Sequence, residues 1–160
     1  PRRALREHTA HCIEAVLLVG LAFYLNGREP LIIDMRARNT DQDHCIAPFK
    51  EHGLWGAISK SNRSILRYRD PVYKTVRELM MSYFHEYFLP TGVKSLIDYS
   101  EPFNLKKIKE NWITGEDSLW FLDPLLNNLP HKRFIEKGKK VILRKVDPLE
   151  LKVNSHQDFT

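Results

Sequence analysis

Residues 9–27 read TAHCIEAVLLVGLAFYLNG, and no other stretch restricts the fold of this chain so strongly. The apolar run from Ala15 to Leu25 is about half the length a bilayer span needs, so it predicts a buried helix rather than a membrane segment. From Ile13 to Leu25 the apolar residues surround the helix instead of forming a stripe, which predicts burial on most sides. Thr9 is the expected N-cap, and Glu14 complements the positive end of the helix dipole. Asn26-Gly27 ends the helix, with Gly27 in the left-handed C′ position.

The next segments read as strands. PLIIDMRA at 30–37 carries a β-branched pair, with Leu31, Ile33 and Met35 on one face and Ile32, Asp34 and Arg36 on the other. HCIAPF at 44–49 is a second strand, for which Pro48 predicts an edge position. LWGAISKS at 54–61 is a third, and the turn KEHG makes the two a hairpin. RDPVYKTVRELMMSYFHEYF at 69–88 reads as a second helix, with Pro71 in its first turn and Val72, Val76, Leu79, Met80 and Tyr83 at helical spacing. VKSLIDYSEPFNL is extended and irregular. EDSLWFLDPLLNNL reads as a short helix broken at Pro124, KKVILRKV at 139–146 as a strand, and the chain from Asp147 onward as a loosely ordered tail. The fold class is therefore α+β: one domain over 1–146, with a buried N-terminal helix and a second helix packed on an antiparallel sheet, and a tail at 147–160.

Composition narrows the function classes. With 160 residues, 42% hydrophobic and 28% charged, the chain can bury a sizeable core. PRRALREHTA is basic but leads into no signal-peptide pattern. The two cysteines suit a reducing, cytoplasmic setting. No Cys-x-x-Cys or His-x-x-x-His pattern suggests a structural zinc, so no metal and no cofactor is expected. The net charge of +5 comes from scattered cations with no RNP strand or helix-turn-helix, which disfavours a nucleic-acid partner. The basic run EKGKKVILRKVD reads as a solvated strand or turn.

One constellation carries chemistry. A thiol at a helix N-terminus meets the positive end of the dipole, which stabilises the thiolate, and the free amides there can hold an oxyanion. Cys12 is that thiol. If the hairpin turns at His52-Gly53, His44 lies opposite Ser61; with a loop one residue shorter it faces Ser59. Either way His44, Ser59 and Ser61 share a face. Asp34 on the preceding strand and Asp43 beside His44 are candidates for orienting the imidazole. His8 and His11 lie close to Cys12 in sequence. Cys45 is expected to point into the core beside Ala47 and Phe49. The competing reading of Cys12 is a small apolar core residue, the usual state of a free cysteine.

The pattern HCIEAVLLVGLAFYLNGREPLIIDMRA, then DHCIAPFKEHGLWGAISKSN, resembles the core of the transglutaminase-like superfamily of papain-like cysteine enzymes, and most of all a mainly bacterial branch of it. The likeness runs from about residue 9 to 105. It implies a transglutaminase-like fold, with Cys12 at the nucleophile position, His44 at the base position and Trp55 as the aromatic that opens the third strand. The family's Asp is expected about four residues after that Trp, where this chain has Ser59. Asn62 and Asp34 are the substitutes. The resemblance implies a cysteine-dependent amide or peptide hydrolase, or an acyltransferase, acting on a protein, peptide or amide substrate. The alternative is a non-catalytic interaction domain on the same fold, Ser59 recording the lost acid. A basic nucleic-acid-binding module is the third reading.

Overall fold

Residues 1–115 and 121–154 are described in a computed structural model. A seven-stranded antiparallel sheet forms its centre, with β1 (Leu31–Ala37), β2 (His44–Glu51), β3 (Leu54–Ile58), β4 (Tyr68–Tyr73), β5 (Leu96–Ser100), β6 (Phe103–Asn104) and β7 (His131–Arg133). The order across it is β4-β3-β2-β1-β5-β7, and β6 pairs with the start of β1. The helices are α1 (Arg2–Glu7), α2 (Cys12–Leu25), α3 (Val76–Phe84), α4 (Leu122–Asn127) and α5 (Pro148–Asn154). The coarse expectation of helices packed on an antiparallel sheet is met.

The sheet is covered on both faces. Val16 and Leu17 of α2 pack with Ile32, Cys45 and Ala47 on one side, joined by Leu105, Leu122 and Leu126. Leu79, Met80 and Tyr83 of α3 pack with Ile33, Met35 and Ile46 on the other. Alternation then sends Ile32 and Ile33 into different cores, and both are fully buried. This is why β1 reads as a nearly continuous apolar run.

Several expectations change. α2 begins at Cys12, not after Thr9. Its N-cap is His11, whose backbone N–H donates to Glu14 Oε2 at 2.8 Å. It is less enclosed than its composition suggests: Val16, Leu17 and Gly20 are buried, while Leu25 is 73% exposed. The helix lies on the sheet by one face, and its last turn overruns the cover. Its end is as expected. Gly27 has φ +72°, its N–H donates to Tyr24 O, and Arg28 N–H donates to Phe23 O at 2.8 Å, a Schellman cap.

The helix predicted over 69–88 is a strand followed by a shorter helix. Residues 68–73 alternate exposed and half-buried, and they form edge strand β4, where Pro71 forfeits no interior ladder bond. The helix starts only at Val76, because Thr75 Oγ1 accepts from Glu78 N–H at 3.1 Å and Glu78 accepts from Lys74 N–H at 2.8 Å. β2 is interior rather than an edge. Pro48 is tolerated because it lies beyond the last β1–β2 pair, Ile33↔Ile46, so its missing N–H breaks no bond on that side. β3 ends at Ile58, short of Ser59 and Ser61.

Pro124 sits in the first turn of α4 and does not break it, because its N–H would have no partner there; residues 116–120 of that predicted segment lie outside the described residues. The strand expected over 139–146 is irregular chain, tied by Val146 N–H to Gly92 O at 3.0 Å, with Ile142 98% exposed. The tail is not loose through Asn154. Asp147 caps α5, its Oδ1 accepting from Leu149 and Glu150 N–H, while Glu150 accepts from Asp147 N–H. Residues 155–160 lie outside the described residues.

Candidate thiol site

Cys12 occupies the first position of α2 and is half-buried. Four residues on, Val16 packs on the β2 surface that holds Cys45, so the helix sets Cys12 over the start of β2. The Cys12 thiol is pulled down to about 3, chiefly by the neighbouring Cys45 side chain, with His44 adding to the effect; burial opposes both. Cys45 moves the other way, well above the usual thiol range, through the same contact with Cys12 and its own burial. The two shifts run in opposite directions, so deprotonation is favoured at Cys12 over Cys45.

His44 is 6% exposed and packs its ring 6.2 Å from the Tyr87 ring. Its Nε2 has no hydrogen-bond partner of regular geometry. Cys12 and His44 are thus electrostatic neighbours without an aligned bond between them. Catalytic hydrogen bonds are often long in resting enzymes and tighten in the reacting complex.

A row of polar side chains crosses the sheet on the α2 face. β1 and β2 pair Asp34 with Cys45, and Cys45 Sγ lies 3.7 Å from Asp34 Oδ1. The β1–β5 register joins Met35 to Tyr99, which carries Asp34 beside Ser100, and Asp34 N–H donates to Ser100 Oγ at 3.0 Å. β5 and β7 pair Ser100 with His131. His131 Nε2 lies 3.1 Å from Asp34 Oδ2, with 3% and 7% of the two side chains exposed. Burial pushes the Asp34 carboxyl up, and His131 opposes that rise.

The residues expected from the sequence divide accordingly. The hairpin turns at His52-Gly53, both with positive φ, but the β2–β3 ladder ends at Ala47↔Ile58, short of His44 and Ser61. Neither serine serves the imidazole: Ser59 Oγ donates to Leu66 O at 2.5 Å, and Ser61 Oγ accepts from Arg63 N–H. Asn62 is exposed and accepts from Lys60 Nζ. Asp43 accepts from Ala37 N–H at 2.7 Å. Asp34 meets Cys45 and His131 instead of His44. Cys45 packs beside Ala47 as expected, yet it also touches the site. His131 and Ser100 were not singled out; PHKR and YSEP carry no motif, and only strand register brings them to Asp34.

An open cleft of about 590 Å³ runs beside α2, lined in part by Ala10, Ala15, Leu18, Ile58 and Ser59, but neither Cys12 nor His44 lines it. Among the described residues, no group of His, Cys, Asp and Glu is arranged to hold a metal ion. Among them, too, no helix is long and apolar enough to cross a membrane. No protein-family model matches the chain, and no curated protein shows detectable similarity to it.

Proposed function

We propose that the protein is a thiol-dependent amide or peptide hydrolase, or acyltransferase, of the transglutaminase-like and papain-like kind. The observation that carries this reading is the position of Cys12 at the start of α2, where the helix-start amides, Cys45 and His44 all favour its thiolate. Cys12 Sγ attacks the carbonyl carbon of the amide. The carbonyl oxygen becomes an oxyanion facing the free amides of the first helical turn. His44, holding the thiol proton, passes it to the leaving amine as the C–N bond breaks. Water or a second amine then attacks the thioester, giving hydrolysis or acyl transfer, and His44 takes that nucleophile's proton. The substrate would be a protein, peptide or other amide, and no cofactor enters. Two free thiols suit a reducing, cytoplasmic setting.

The second reading is a non-catalytic interaction domain. It is favoured by Ser59 at the family's acid position and by the absence of an aligned bond to His44 Nε2. The rate of Cys12 alkylation by iodoacetamide against pH separates the two, with Cys45→Ser as background. An apparent pKa well below about 8.5 that rises in His44→Ala supports the enzyme. A free-thiol titration indifferent to His44 puts the interaction domain in front.

A further inference from the structure

Cations occur throughout the chain, but their excess over carboxylates does not. Residues 136–146, EKGKKVILRKV, hold five cations and one carboxylate, and with them four of the five net positive charges of the whole sequence. The apolar residues among these cations are not buried: Val141 is 54% exposed and Ile142 98%. A solvated turn needs only the cations. Large apolar side chains held in water beside them mark a surface that meets a partner.

Leu143, the next residue, lines an open cleft of about 330 Å³ together with Arg38, Lys94, Arg133, Ile97 and Ile135. The charged part of that lining is three cations and no carboxylate. The sheet brings them together. Arg133 is the register partner of Asp98 across β5 and β7, and Arg38 N–H donates to Ser95 O where β1 leaves β5. Lys94 is 6% exposed, and its Nζ donates to His85 O at 3.0 Å. A cation taken out of water is costly without an opposite charge, yet among the described residues no carboxylate lies within ion-pair distance of Lys94, Arg38 or Arg133. The neighbouring carboxylates are engaged elsewhere. Asp98 grips Arg36 at 2.7 and 2.8 Å, and Glu150, whose charge reaches Lys94, grips Arg144 at 2.7 and 3.1 Å.

We propose that this face docks on a membrane surface of anionic phospholipid: the cleft between Arg38, Lys94 and Arg133 takes a headgroup phosphate, and Val141 and Ile142 enter the acyl boundary beside it. A free phosphate or a nucleic acid would use the cations and leave both apolar side chains in water. A phospholipid offers an anion and hydrocarbon together. Lys139-Lys140 before the apolar residues and Arg144-Lys145 after them suit that boundary, since their long stems let the charged heads stay at the level of the phosphates while the apolar side chains go deeper. The proposal does not depend on the thiol chemistry.

The test is co-sedimentation of the full chain with vesicles of phosphatidylcholine alone, and of phosphatidylcholine and phosphatidylserine at about three to one. Binding is expected only to the second, and it weakens as salt rises. Arg38→Gln with Arg133→Gln should weaken it about thirtyfold, each cation near an anionic surface contributing about fivefold. Ile142→Ser should weaken it about tenfold by removing apolar burial. The three side chains are exposed, so neither change removes a core contact. Lys107→Gln with Lys109→Gln removes the same charge at exposed positions elsewhere and should cost less than about twofold. An equal loss in that control means diffuse attraction by net charge and overturns the proposal. If Ile142→Ser binds like the wild type, the partner is a soluble anion or an acidic protein, and the membrane proposal fails. It fails too if the wild type ignores the anionic vesicles.

Discussion

Asp34 and Cys45 are register partners across β1 and β2, and Sγ of one lies 3.7 Å from Oδ1 of the other on the α2 face of the sheet. Because successive side chains of a strand alternate between faces, the residue before Cys45, His44, belongs to the α3 side and packs on Tyr87. Both residues act electrostatically on Cys12 at the start of α2.

The depressed Cys12 thiol has a consequence for stability. Between about 3 and the ordinary thiol value of 9.0, the unfolded chain binds a proton at this sulfur that the folded protein does not. Its contribution therefore grows as pH rises through that window and is lost as pH falls toward the folded value. Relative to Cys12→Ala, the wild type should gain about 1 kcal/mol or more between pH ~5 and ~8. Urea unfolding at several pH values checks this; a difference that does not change with pH counts against a thiolate.

Placing a carboxylate at position 59 should not help. The Ser59 hydroxyl is 2.5 Å from Leu66 O, and the residue is 8% exposed. In Ser59→Asp a carboxylate would face a carbonyl oxygen in a buried place, destabilising the fold by about 1–3 kcal/mol. Cys12 alkylation should be no faster than in the wild type. A rise in reactivity would show that position 59 reaches His44 after all.

Thr75→Ala should destabilise the protein by about 1 kcal/mol by removing the cap on Glu78 N–H. Were the helix to begin at Pro71, position 75 would lie inside it, and Ala would stabilise by a few tenths of a kcal/mol. The sign of the change in a urea titration decides where the helix starts.

Gly56 lies where β3 is pressed between Phe49 and β4. A Cβ there would come within 2.7 Å of both Arg69 O and Phe49 Cζ, and 3.0 Å from Pro71 N. Backbone on one side leaves little room for relaxation, so Gly56→Ala should cost about 1–3 kcal/mol. A variant as stable as wild type by urea unfolding would mean that β4 can move away from β3.

Local chemistry was legible wherever one residue type has one strong preference. Gly27 closed α2 and His52-Gly53 turned the β2–β3 hairpin, each of these three residues adopting positive φ. Asp147-Pro148 with Glu150 also spelled a capped helix start, a capping signal that lay open in DPLE behind the expectation of a loose tail. Helical spacing misled over 69–75, since apolar residues at 72 and 76 satisfy a helix pattern while Thr75 holds the actual cap. For the site, Cys12 at a helix start and His44 at a strand start could be placed from pattern alone.

What the sequence determined by itself was a set of local devices: caps, turns, β1 with its two apolar faces, and a cysteine at the head of an apolar helix. Each depends on residues within a few positions of one another. The tertiary structure decided which groups gather around Cys45 on β2. Asp34, Ser100 and His131 are far apart in the chain and share no motif. They adjoin because β5 inserts between β1 and β7, and strand order and register follow from packing the sheet's two faces against α2 and α3 together.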